Sequence, residues 1–176
     1  MVNTKQRILD IARDLFARQG YTGTTIADIA RELGTTTAAL YYHFPSKAHI
    51  LYGLLDEPLT AYLRIIASLE RGSPPAAEIL GALIDLSADA QGLAAVVDKD
   101  PAVLALIDER LPTTSAKMIA GVVAALAGPG AGRAAIIRAQ AAIAVTKSAA
   151  MELDGGPLDA ADRAQVLGIA LGTLRP

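Results

Sequence analysis

TTIADIARELGTTTAALYYHFPSK, residues 24–47, is the stretch that decides the fold. Thr24 or Thr25 caps a short helix in which Ile26, Ile29, Ala30 and Leu33 recur at helical spacing. Gly34 follows, a residue able to take the left-handed conformation that closes a tight turn cheaply. Thr35 or Thr36 then caps a second short helix, with Leu40, Tyr41 and Phe44 on its buried side. Pro45 ends it, because a proline drives the residue before it out of the α region. Two short helices joined by a glycine-led turn predict a helix-turn-helix.

The face opposite Leu40 and Phe44 presents Thr36, Thr37, Ala38, Ala39 and Tyr42. Short side chains let a helix backbone enter the DNA major groove closely. Threonine hydroxyls can bond phosphates or base edges, and alanine and threonine methyls can touch thymine methyls. No Arg, Lys, Gln or Asn lies between residues 35 and 42. Specificity is therefore expected to lean on methyl contacts, water and DNA shape more than on bidentate base pairing.

Upstream, Ile8, Ile11, Ala12, Leu15 and Phe16 make one face of a helix that Gly20 stops, and Asn3 with Gln6 resembles a capping box. Downstream, Ser46 starts a long helix through Leu69, inside which Pro58 is expected to produce a kink. Gly72-Ser73-Pro74-Pro75 breaks the chain before a proline-led helix, Gly92 interrupts it, and a short turn covers Leu93 to Val97. Asp100-Pro101 is an N-cap and first-turn pair for a helix that stops before Pro112. Further helices are predicted over about 114–127, 131–153 and 158–174. No alternating strand pattern occurs. The fold class read from this is all-α: a three-helix head over residues 1–46 and a helical body over 47–176.

Composition supports two regions of different chemistry. All seven aromatic residues fall at or before Tyr62, and the two histidines are His43 and His49. Residues 1–50 hold six basic and four acidic side chains, an excess of two positive charges. The rest hold ten basic and fourteen acidic, so the overall balance of −2 conceals a basic head. With no cysteine there is no disulfide, thiolate metal site or cysteine nucleophile. The sequence shows no apolar span for a membrane and no signal peptide, so a cytoplasmic protein with no membrane partner is expected.

The head closely resembles the tetracycline-repressor family of bacterial transcription regulators. The resemblance covers residues 5–50: Leu15-Phe16, Gly20-Tyr21, Thr24-Thr25, Ile29-Ala30, Gly34, then Leu40-Tyr41-Tyr42-His43-Phe44 and Ser46-Lys47. It implies that Thr25 meets a phosphate and that Thr36, Thr37 and Ala39 face bases or adjacent backbone. It places Tyr41, Tyr42 and His43 along the phosphates and pairs Lys47 with one. Ordinary packing is the competing role for Tyr41, and a structural role for His43. The resemblance also implies double-stranded DNA and a second copy of the chain as partners, with a body that binds a small-molecule effector.

Apolar surface flanked by alanine supports dimerisation independently. Ile136, Ile137, Ile143 and Val145 supply it in one helix, and Leu167, Leu171 and Leu174 in the last. The dimer residues expected are Ile136, Ile143, Leu167, Leu171 and Leu174.

A mostly aliphatic body suits a small, largely apolar ligand. Tyr62, Asp85 and Asp89 are the ligand-binding candidates. A DNA-binding protein without a small-molecule effector, controlled by a protein partner, is the alternative. The scattered charges of the body form no catalytic constellation. No enzyme activity, catalytic residue, cofactor or metal is expected.

Overall fold

The structure, a computed structural model, describes residues 4–72, 74–89, 100–152 and 158–175, without the side chains of 89 and 148–152. The described residues form α1 (Thr4–Gln19), α2 (Ile26–Leu33), α3 (Thr37–His43), α4 (Lys47–Arg71), α5 (Ala76–Asp89), α6 (Pro101–Asp108), α7 (Ser115–Ala127), α8 (Arg133–Glu152) and α9 (Ala160–Thr173). No strand occurs among them. No helix among them is long and apolar enough to cross a membrane. The expected Asn3 cap and the Leu93–Val97 turn lie outside the described residues.

The chain divides into two compact units. The first comprises Met1–Glu57 and Gly92–Pro112, the second Pro58–Gln91 and Thr113–Pro176. The division falls at Pro58, which sits inside α4 without ending it.

In the first unit, Ile8, Ala12, Leu15 and Phe16 of α1 are buried. Their i, i+4, i+7, i+8 spacing makes one stripe, as the 3.6-residue turn requires. Ile29 and Ala30 of α2, Leu40 of α3, and Ile50, Leu51, Leu54 and Leu55 of α4 complete this core. Tyr21 packs edge-on against Phe16, ring centroids 5.2 Å apart. Val103 and Ile107 of α6 are buried as well, although α6 lies some fifty residues beyond the head in sequence.

The ends of α2 are chemically specified. Thr25 is its N-cap: its hydroxyl accepts from the Asp28 amide, and the Asp28 carboxylate accepts from the Thr25 amide at 3.0 Å. At the other end Gly34 is left-handed (φ 72°), with its N–H on the Arg31 carbonyl and the Thr35 N–H on the Ala30 carbonyl. This pair of bonds is the Schellman arrangement, and it favours glycine because a Cβ is disfavoured at positive φ. Thr36 caps α3 by accepting from the Ala39 amide at 3.2 Å. Of the two threonines open as a cap at each start, Thr25 and Thr36 are the ones used.

In the second unit α5, α8 and α9 pack together, with α7 against α8. The core holds Ile65, Ile79, Leu80, Leu83, Val122, Ala142 and Ala170. Arg163 of α9 lies across α5, its Nε and Nη2 donating to the Asp85 carboxylate at 2.6 and 2.7 Å and Nη2 also reaching the Gly81 carbonyl at 3.4 Å. A Cβ on Gly81 would stand 3.2 Å from Nη2, so the glycine gives the guanidinium its room.

Candidate nucleic-acid interface

The exposed side of α3 follows from which residues its core takes. Leu40 and Phe44 are buried and His43 is half-buried. Thr36, Thr37, Ala38 and Ala39 are exposed, and Tyr42 is 87% exposed. Exposing a large aromatic ring to that degree forfeits the apolar burial that usually holds such residues in a core. Tyr41, placed by its spacing on the buried side, is instead 52% exposed. A helix of seven residues buries a narrow stripe, and Leu40 with Phe44 fills it. Tyr41 therefore joins Tyr42 on the accessible side. The rings of Tyr42 and His43 meet edge-on at 5.3 Å.

Thr36 accepts through its cap bond, which leaves its hydroxyl proton free to donate outward. Thr25 is exposed, but its hydroxyl donates to Asp28 Oδ2 at 2.6 Å. The Thr25 hydroxyl and amide, and then Arg31, hold the Asp28 carboxyl down at about 2. Arg31 also forms an ion pair with it, so the acidic group at the start of α2 is compensated locally.

Lys47 is half-buried. Its Nζ donates to the Tyr21 and Thr24 carbonyls, both at 2.9 Å, and lies 4.2 Å from the Tyr21 ring centroid. An ammonium carries three donors, so one remains for a further acceptor. Burial lowers the Lys47 pKa, and the nearby Asp100 carboxylate opposes that shift. Thr24 is fully buried, and its hydroxyl donates to the Gly20 carbonyl at 2.8 Å.

Asp100, which the sequence marked only as a helix cap, also holds the turn between α1 and α2. Asp100 Oδ2 accepts from the Thr22 amide at 2.8 Å and from the Thr22 hydroxyl at 2.7 Å, while Oδ1 caps α6 through the Ala102 amide at 3.0 Å. The Thr22 hydroxyl and then its amide hold the Asp100 carboxyl below the usual carboxylate range. Arg110, just past α6, lies 4.4 Å from the Tyr52 ring centroid. The sequence signal at Asp100 was its proline-following cap; the Thr22 contact, 78 positions away, left no local trace.

The body candidates fall in the second unit. Tyr62 is half-buried against the core, and burial raises its pKa. Asp85 is committed to Arg163, and the Asp89 side chain lies outside the described residues. A groove of about 380 Å³ between α4 and α5 is lined by apolar residues such as Ile65, Ile79 and Leu86 together with Arg64, Arg71, Glu78 and the candidate Asp85. Ile143, Leu167, Leu171 and Leu174 are half-buried against the unit's own core. Ile136 is exposed, as are Ile137 and Ile169.

Residues 8–52 match the family described as bacterial regulatory proteins, tetR family. The match lies in the N-terminal head and covers less than half of the chain, so the head is similar over those residues to the tetR family. This is a family of regulatory proteins, not of enzymes. The head is also similar to that of the HTH-type transcriptional repressor KstR2 of Rhodococcus jostii, 43% identical over 68 residues. That match takes in 36% of this chain and 33% of KstR2, so the chain spans about a third of this curated relative's length. Solved structures of transcription regulators share the fold over nearly the whole chain, a tetR-family regulator among them. A regulator from Bordetella parapertussis superimposes with a TM-score of 0.68 at 22% identity, covering 97% of this chain and 95% of its own. The regulator FadR of Bacillus subtilis, solved in complex with stearoyl-CoA, gives 0.56 at 16% identity, covering 97% and 99%.

Proposed function

We propose that the protein is a sequence-specific DNA-binding transcription regulator that works as a homodimeric repressor. The observation that carries this reading is the exposed face of α3. Thr36, Thr37, Ala39 and Tyr42 stand free opposite the buried pair Leu40 and Phe44, in a helix set by the Gly34 turn. Thr37 and Ala39 touch base edges, Tyr41, Tyr42 and His43 follow the phosphates, Lys47 meets the backbone beside them, and Thr25 does so when its hydroxyl proton turns from Asp28 to a phosphate.

A single short helix covers little DNA. Two copies about 34–36 Å apart read a palindrome, which is the physical reason for a dimer. The surface proposed for it lies on α8 and α9. Ile136, Ile137, Ala141 and Ala144 are exposed on α8, and Ala161, Ala164, Gly168 and Ile169 on α9. Small residues allow close helix approach there, and the exposed isoleucines supply apolar area. Ile143, Leu167, Leu171 and Leu174, half-buried against the unit's own core, belong to the same proposed surface through the part the core leaves uncovered.

Release from the operator by a small, largely apolar ligand is the second part of the reading. The groove between α4 and α5 supports it, with an apolar floor and with Arg64 and Arg71 available for a polar end. FadR, a protein of this fold, was solved with stearoyl-CoA, a ligand with a long apolar tail. A ligand acts by favouring a conformation that binds DNA less well.

Selection of duplexes from a random pool, at stated near-physiological salt, tests the core of this reading. Enrichment of a palindrome, lost on Thr37→Ala or Tyr42→Ala, is the expected result. Salt-sensitive binding that enriches no sequence overturns it.

A further inference from the structure

We infer that Asp100 is a positioning residue for DNA binding, holding the turn that presents the start of α2 although it belongs to a distant segment. The inference rests on the DNA-binding reading above and adds to it a residue outside the helix-turn-helix.

The turn between α1 and α2 has few internal bonds. The Thr24 amide donates to the Tyr21 carbonyl at 3.2 Å and the Thr24 hydroxyl to Gly20. The Gly20 amide donates to the Phe16 carbonyl at 2.9 Å, and side chains from elsewhere add to these bonds. Lys47 takes the Tyr21 and Thr24 carbonyls, and Asp100 takes the Thr22 amide and hydroxyl. Thr25, the next residue, is the cap of α2 and the proposed phosphate contact. A turn clamped this way delivers Thr25 and the first amides of α2 in one geometry, which lowers the ordering cost on binding.

Asp100 can do this because its two oxygens are divided. Oδ1 caps α6 and Oδ2 holds Thr22, so winding of the first turn of α6 and fixing of the head turn share one carboxylate. Burial of Val103 and Ile107 and the Arg110–Tyr52 stack seat the rest of α6 in the same unit. In the chain, α6 lies between α5 and α7, which both belong to the second unit. The head is therefore completed by a segment that the body supplies.

The test separates the clip from the cap in the full chain. Asp100→Ser keeps a good N-cap but is too short to hold Thr22, and Thr22→Val removes the hydroxyl with little change in shape. Each is expected to weaken binding of the selected duplex by about tenfold, the value of a lost charge-assisted hydrogen bond. Thr22→Val keeps the Thr22 amide bond and is expected to lose no more than Asp100→Ser, and the double variant no more than Asp100→Ser alone, since that substitution already removes both bonds. Thr22→Ser is expected to bind within about twofold of the unaltered chain. Thr114→Ala, which removes the cap of α7 in the second unit, serves as the control for general helix loosening.

Amide exchange at Thr24 and Ile29 without DNA is expected to quicken in Asp100→Ser. Equal binding by Asp100→Ser and the unaltered chain, or an equal loss in Thr114→Ala, overturns the proposal. Failure of the unaltered chain to bind any duplex overturns instead the DNA-binding reading beneath it.

Discussion

The Lys47 ammonium sits 4.2 Å above the Tyr21 ring while donating to the Tyr21 carbonyl at 2.9 Å, so one charge serves the aromatic face and the backbone of one residue. It bonds the Thr24 carbonyl as well. Removing it leaves two carbonyls short of a charged donor at a half-buried position. Lys47→Ala is expected to lower the unfolding free energy by roughly 1–2 kcal/mol, read from urea unfolding. Operator affinity is expected to fall beyond what that loss explains, because the remaining N–H is the one proposed to meet phosphate. A variant with unchanged stability would mean that the two carbonyl bonds contribute nothing net.

Tyr42 and Leu40 separate binding from folding within one helix. Tyr42 projects into solvent and Leu40 is buried in the head. Tyr42→Ala is expected to leave stability within about 0.5 kcal/mol while weakening DNA binding, as surface substitutions away from packing do. Leu40→Ala is expected to cost about 2–4 kcal/mol through lost burial and the cavity left behind. Circular dichroism melts and duplex titrations on the same samples give the comparison. A marked drop in melting temperature for Tyr42→Ala would show that the ring is packing and not reaching out.

Gly81 lies inside α5, where glycine is intrinsically the weaker helix former by about 0.5–1 kcal/mol relative to alanine. The added methyl meets only the end of the Arg163 side chain, at 3.2 Å, and that end can shift by a few tenths of an ångström. The propensity gain is expected to win, so Gly81→Ala should raise Tm slightly. The Asp85–Arg163 pair is exposed to solvent on both sides, and Asp85→Ala should accordingly cost less than about 1 kcal/mol. A Tm that falls on Gly81→Ala would show that the guanidinium cannot move.

Asp28 and Asp100 are expected to make the head sensitive to acid. Both carboxyls are held down, Asp28 at about 2 against an unfolded value of 3.8, so the folded state binds fewer protons than the unfolded chain. The stability they supply is fully present above that unfolded value and is lost as pH falls through the lowered folded values, about 2 for Asp28. Unfolding midpoints from pH 7 to pH 2 should therefore be level at first and decline below about pH 4. Asp28→Asn should flatten part of that decline. An unchanged acid profile in Asp28→Asn would show that its bonds to Thr25 do not persist in solution.

Local chemistry determined much of this protein. Thr25, Gly34, Thr36 and Pro45 mark helix ends by effects that act over three or four residues, and Asp100-Pro101 does the same for α6. Apolar spacing then assigned Ile8, Ala12, Leu15, Phe16 and Leu40 to a core, because a helix repeats every 3.6 residues whatever surrounds it. Tertiary structure decided what depends on distant partners. It turned Tyr41 outward because Leu40 and Phe44 already fill the space beneath α3. It seated Ile143, Leu167, Leu171 and Leu174 against their own core and left Ile137 and Ile169 exposed, since apolar spacing alone does not say which neighbour a stripe will meet. It joined Asp100 to Thr22 and Arg163 to Asp85, each across 78 positions. A hydrogen bond of that span has no period and no local motif; only the folded path of the chain brings its two ends within 3 Å.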